Sequence, residues 1–188
     1  MTSEPLPATA TLILIDIQRG LDDPKYGTRN NPDAEANAAR LLERWRTTGR
    51  PLVHVQHLST SPTSPLRPGQ DGVEIKPEVA PIAGERVITK RVNCAFIGTD
   101  LEAVLRRDGA SPLVITGLTT NHCVETTARV AGDLGFSPIV VSDATAAHDR
   151  TGPDGTIWPA ATIHAVTLTS INGEFAEIAT TEDILNRT

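Results

Sequence analysis

Apolar positions along the chain follow two alternating rhythms. Thr11-Leu12-Ile13-Leu14-Ile15 is a continuous apolar, largely β-branched run closed by Asp16, the pattern of a strand buried on both faces. After Asn31-Pro32-Asp33 the period changes, and Ala34, Ala38, Leu41, Leu42 and Trp45 recur at helical spacing until Gly49 and Pro51 stop the helix. Pro51 to Val55 reads as a second strand, and Glu85 to Thr89 as a third that ends on Lys90. Asp100 to Arg107 is helical, and Leu113-Val114-Ile115-Thr116, with Pro112 at its mouth, is a fourth strand. A helix from Val124 to Gly135, a strand from Ser137 to Val141, a helix from Ile157 to Thr169 and a last strand from Glu174 to Ala179 follow. This alternation, without an internal repeat, predicts an α/β fold: a three-layer, doubly wound, mainly parallel sheet of about six strands with helices on both faces.

One stretch breaks the rhythm. Residues 59–81 are rich in Ser, Pro and Gly, and loops of that length within a compact domain serve as lids or binding loops or are disordered. At 188 residues the chain suits one sizeable core, so residues 1–188 are read as a single domain with a lid or binding loop at 59–81. A net charge of −6 without a basic stripe argues against nucleic acid or an anionic membrane as partner. The Met-Thr-Ser-Glu-Pro start has neither the positive flank nor the apolar run of a signal peptide, and a cytoplasmic location is expected.

The chemistry concentrates at strand ends. Gly117-Leu118-Thr119-Thr120-Asn121-His122-Cys123-Val124 is a small-residue turn between the fourth strand and the next helix, and it puts Cys123 at a helix start. Free N–H groups and the helix dipole there are expected to favour the thiolate. Asp16 and Lys90 close two other strands, and in an open parallel sheet the carboxyl ends of strands gather at one edge beside the point where strand order reverses. Asp16, Lys90 and Cys123 would then share a cleft, with aspartate taking the thiol proton and lysine supplying the counter-charge. Taken singly, each has a plainer reading: Asp16 as a turn cap, Lys90 as a solvated strand end, Cys123 as a small core residue. Cys94, within Val92-Asn93-Cys94-Ala95-Phe96, keeps that last reading. A reducing compartment makes both thiols free.

Three segments together carry a resemblance: Leu14-Ile15-Asp16-Ile17-Gln18; Thr89-Lys90 with Asn93-Cys94-Ala95-Phe96 and Thr99; and Gly117 to Val124 with Thr126-Thr127-Ala128-Arg129 behind it. In order and approximate spacing the chain resembles the isochorismatase-like cysteine hydrolase superfamily, which includes nicotinamidases and N-carbamoylsarcosine amidase. The resemblance spans about Ala10 to about Ile178. It implies a catalytic triad of Asp16, Lys90 and Cys123 and an oxyanion hole from the backbone N–H groups of Thr119 and Cys123. That hole is reached through a non-proline cis peptide between Leu118 and Thr119. Gln18, Phe96 and Leu118 are candidate substrate-binding residues that could equally serve packing. A homo-oligomer, dimer or tetramer, is implied by the resemblance alone.

His54 and His57 invite a metal reading, but their spacing places them on opposite faces of a strand. Nicotinamidases carry an Asp-x-His pair after strand two and a later histidine. Here Val55-Gln56-His57 stands at that place, and no histidine occurs between His57 and His122. No metal and no other cofactor is expected. His122 is read as a helix-start residue. The functional expectation is a hydrolase that cleaves a small-molecule amide, ureido or lactam C–N bond through a thioester to Cys123. The alternatives are an isochorismatase-type vinyl ether hydrolase, some of which dispense with the cysteine, and a non-catalytic binding protein on the same fold.

Overall fold

The computed structural model describes residues 4–188. The strands are β1 (Thr11–Ile15), β2 (Leu52–His57), β3 (Arg86–Lys90), β4 (Leu113–Leu118), β5 (Pro138–Ala146), β6 (Arg150–Thr151), β7 (Ile157–Trp158) and β8 (Glu177–Ala179). Six of them make a parallel sheet in the order β3-β2-β1-β4-β5-β8. The helices are α1 (Ala34–Thr48), α2 (Leu101–Arg107), α3 (Glu125–Asp133), α4 (Ala160–Ile171) and α5 (Thr181–Leu185). The three-layer α/β expectation is met, and its cause lies in side-chain alternation. Leu12 and Leu14 pack on one face with Ala38, Leu41, Leu42 and Trp45 of α1 and Ile184 of α5. Ile13 and Ile15 pack on the other with Leu101 and Leu105 of α2, Ala128 of α3 and Ile171 of α4. Each fully buried Leu or Ile contributes about 1.5–3 kcal/mol, so the two faces together define the core.

Strand order reverses between β1 and β4. From β1 the chain builds outward through β2 to β3, then crosses back to place β4 on the other side of β1. Gly117 pairs with Ile15 across that junction at φ 126°, and a Cβ there would lie 2.0 Å from the Ile15 carbonyl oxygen. Glycine is required by both backbone conformation and close approach.

Several boundaries and elements differ from the sequence reading. β5 runs on past Val141 to Ala146, with a register irregularity against β4 between Ile115 and Gly117. Ile157 and Trp158 are not helical but form β7, paired antiparallel with β6 (Arg150–Thr151). Pro159 explains the change, because it biases the residue before it toward extended backbone and suits a helix entry. The Asp149 carboxylate then accepts from the Ala160 N–H at 2.7 Å. β8 begins at Glu177 rather than Glu174, after a turn through Gly173 at φ 78°. The terminal α5 was not anticipated, although Thr180 and Asp183 form a reciprocal capping box at its start.

Residues 59–81 form an irregular segment with short 3₁₀ turns at Asp71–Val73 and Pro77–Val79. It is anchored by Lys76, whose ammonium lies 2.6 Å from both Asp22 and Glu35 carboxylates. Among the described residues, no helix is long and apolar enough to cross a membrane.

Candidate active site

The reversal of strand order puts Asp16, directly after β1, beside the turn that follows β4. Asp16 adopts φ 51°, outside the strand conformation, while its N–H still donates to the Val55 carbonyl at 2.9 Å. Lys90 closes β3 two strands away, and its ammonium reaches Asp16 Oδ2 at 2.5 Å; both side chains are buried. Cys123 follows β4 within a π-helical turn, Thr120–Val124, that leads into α3. The peptide between Leu118 and Thr119 is cis. The Cys123 Sγ and an Asp16 carboxylate oxygen lie within 4.8 Å of each other, together with a ring nitrogen of His57. Asp16, Thr119, Cys123, His57 and Leu118 line a common cavity of about 180 Å³.

Electrostatics divide the roles. Burial raises the Asp16 carboxyl to about 6 against the opposing charge of Lys90, so it is largely ionised at neutral pH and able to accept a proton. Its Oδ1 is buried without a hydrogen-bond partner among the described residues, whereas Oδ2 is taken by Lys90. Burial, with the negative charge of Asp16, pushes the Cys123 thiol well above its ordinary value, and Lys90 only partly opposes this. The thiolate expected from the helix start is therefore not the favoured form. Desolvation outweighs the helix start, and the resting pair is a protonated thiol beside an ionised carboxylate. The thiol also approaches Asn93 Oδ1 at 3.8 Å.

The cavity has a further wall, of mixed polar and apolar side chains, that sequence reasoning did not assemble. Tyr26, Ser64, Leu66, Asn93, His148 and Arg150 line it, with Ser64 and Leu66 coming from the 59–81 segment. His57 also belongs here; its signal was the strand register, which pairs it with Lys90. Nothing in local composition gives that register. The donor atoms of Asp16, His57 and Cys123 are close enough for a cation, but the Lys90 ammonium already holds Asp16 Oδ2 and sits 3.0 Å from His57 Nδ1. The donor set is thus a poor fit for a metal. His54, as its spacing implied, points elsewhere, 2.9 Å from Glu85.

The isochorismatase domain model matches residues 10–183. The chain belongs to the isochorismatase family. It is 46% identical over 175 residues to the uncharacterized isochorismatase family protein YrdC of Bacillus subtilis, covering 93% of this chain and 94% of that one. A solved isochorismatase-family structure from Chromobacterium violaceum superposes with a TM-score of 0.94 at 44% identity, over 100% of this chain and 98% of the other. Streptothricin hydrolase of Streptomyces noursei is 32% identical over 141 residues, 73% of this chain and 50% of that protein. N-carbamoylsarcosine amidase from Thermoplasma acidophilum has a TM-score of 0.73 at 26% identity, over 92% of this chain and 96% of its own.

Within this isochorismatase-family chain the sequence-derived residues fall into two groups. Asp16, Lys90, Thr119, Cys123 and Leu118 converge at the cavity or directly behind it. Gln18 and Phe96 do not line it. The Gln18 amide is spent on backbone: it donates to the carbonyls of His57 at 3.0 Å and Val73 at 2.7 Å, and accepts from the His57 N–H at 2.8 Å. Phe96 stacks on Phe136 with centroids 5.9 Å apart, in the core. Cys94 is buried and free, and His122 faces the cavity with Nδ1 3.2 Å from Thr119 Oγ1.

Proposed function

We propose that this isochorismatase-family hydrolase cleaves a small-molecule C–N bond, amide, ureido or lactam, through a thioester to Cys123. The observation that carries the reading is the buried Asp16–Lys90 contact of 2.5 Å next to a thiol, with the second carboxylate oxygen unpartnered among the described residues. Asp16 Oδ1 takes the Sγ proton as sulfur attacks the carbonyl carbon. The oxyanion is met by the backbone N–H groups of Thr119 and Cys123, because donors fixed in advance stabilise charge that develops only at the transition state. Collapse breaks the C–N bond, and the departing nitrogen takes the proton from Asp16. Water then attacks the thioester, gives its proton to Asp16, and frees the acid product as the proton returns to sulfur. Lys90 keeps one carboxylate oxygen occupied throughout and limits how far burial raises the other.

Two relatives support the choice of bond: the streptothricin hydrolase and the N-carbamoylsarcosine amidase are named for hydrolytic or amidase activities. A thiol with an oxyanion hole suits acyl carbons, whereas vinyl ether hydrolysis needs chiefly a proton donor. The cavity, at about 180 Å³, suits a small molecule rather than a polymer. The reading includes self-association as a dimer or tetramer, which sedimentation velocity tests, and action in the cytoplasm. Ammonia or amine release from a panel of small amides and ureido acids, with ring opening of lactams followed by mass spectrometry, tests the activity. Release by the wild type that disappears in Cys123→Ala is expected; isochorismate cleavage independent of Cys123 would overturn the reading.

A further inference from the structure

The mechanism requires Lys90 to stay on one oxygen of Asp16, and its surroundings account for how. An ammonium has three donors. Those of Lys90 go to Asp16 Oδ2 at 2.5 Å, to the Val92 carbonyl at 3.1 Å and to His57 Nδ1 at 3.0 Å. Since lysine can only donate, His57 must offer a lone pair at Nδ1 and carry its proton on Nε2. The backbone that carries the ring is fixed. His57 closes β2 in register with Lys90, and the Gln18 side chain clamps both backbone groups of the same residue. The charged and titratable groups facing the ring are Lys90 from β3, Asp16 after β1, 3.8 Å away, and Cys123 from the π-helical turn. Burial and the charge of Lys90 hold the imidazole down to about 4, so it remains a neutral acceptor over the range in which Asp16 titrates.

We infer that His57 is a positioning residue whose Nδ1 lone pair fixes the Lys90 ammonium on Asp16 Oδ2, leaving Asp16 Oδ1 as the free base beside Cys123. The inference rests on the cysteine-hydrolase reading above, and its test needs no substrate: the rate of Cys123 alkylation by iodoacetamide, followed by peptide mass spectrometry across pH 4.5–8.5. His57→Leu removes the acceptor while keeping apolar bulk. His57→Asn puts a carbonyl oxygen where Nδ1 was. The wild-type rate should rise through an inflection near the Asp16 value of about 6. His57→Leu should move that inflection to higher pH and slow alkylation at pH 6 about three- to tenfold, because a loosened Lys90 no longer offsets burial of the carboxylate. His57→Asn should restore the wild-type profile to within about twofold. A His57→Leu profile that overlays the wild type, or a His57→Asn profile that overlays His57→Leu, would overturn the positioning role. If Asp16→Asn also left the wild-type profile unchanged, the base assignment itself would fall, and the two failures are thereby told apart.

Discussion

At the scale of the residue, the proposed chemistry rests on a proton shared between two groups whose environments push both upward. Asp16 at about 6 and a Cys123 thiol raised by burial leave the proton on sulfur and the charge on carboxylate at neutral pH. Activity should therefore fall as pH drops through about 6, when Asp16 is protonated and cannot accept; kcat against pH checks this. Asp16→Asn should lose about 10²–10⁴-fold in kcat with the melting temperature largely retained. Cys94→Ala, in the core and outside the cavity, should keep most activity; an essential Cys94 would contradict the assignment. The convergence of Asp16, Lys90 and Cys123 was legible because Asp16 and Lys90 stand at strand ends and Cys123 follows the turn after another strand, so a parallel sheet gathers all three at one edge. The protonated thiol was not, since helix-dipole reasoning sees the local turn, whereas the desolvation that wins comes from side chains distant in sequence.

At the scale of the element, the site depends on how closely β1 and β4 approach at their carboxyl ends. Gly117→Ala should destabilise by about 3 kcal/mol or more, because the added Cβ meets the Ile15 carbonyl at 2.0 Å on a backbone with φ 126°. Chemical denaturation measures it, and a loss below about 1 kcal/mol would show that the strands can separate freely. Thr180→Ala should cost about 1 kcal/mol by removing the α5 capping box. Apolar periodicity revealed β1, α1, β4 and α3 to within a few residues, since each buries a whole stripe or face. It missed β7, whose Ile157 and Trp158 are exposed and so offer no burial pattern to read. α5, a single short turn beyond the last strand, left only its cap as a signal.

At the scale of the whole molecule, two ion-pair networks tie loops to α1 and should make stability fall in acid. Burial raises the Glu35 carboxyl, but hydrogen bonds from Arg29 and Lys76 outweigh it and bring it to about 2; Arg46 holds Glu85 at about 2. Both values are depressed by folding, so their contribution is present above the ordinary carboxylate value of about 4.5 and is lost as pH falls toward 2. Thermal melts between pH 5 and pH 2.5 should show falling stability that Glu35→Gln makes shallower. The three-layer architecture followed from the order of elements, but the long-range pairings of Lys76 with Glu35 and of His57 with Lys90 could not, because they depend on loop placement and register. Treatment with EDTA should leave activity intact, since Lys90 already supplies the cation at Asp16. The central claim is covalent catalysis by Cys123, and acid-quenched mass spectrometry during turnover of an amide, ureido or lactam substrate tests it most directly. An acyl mass on the peptide containing Cys123, absent in Cys123→Ala, is the predicted result; undiminished turnover by Cys123→Ala with no adduct on the wild type would contradict it.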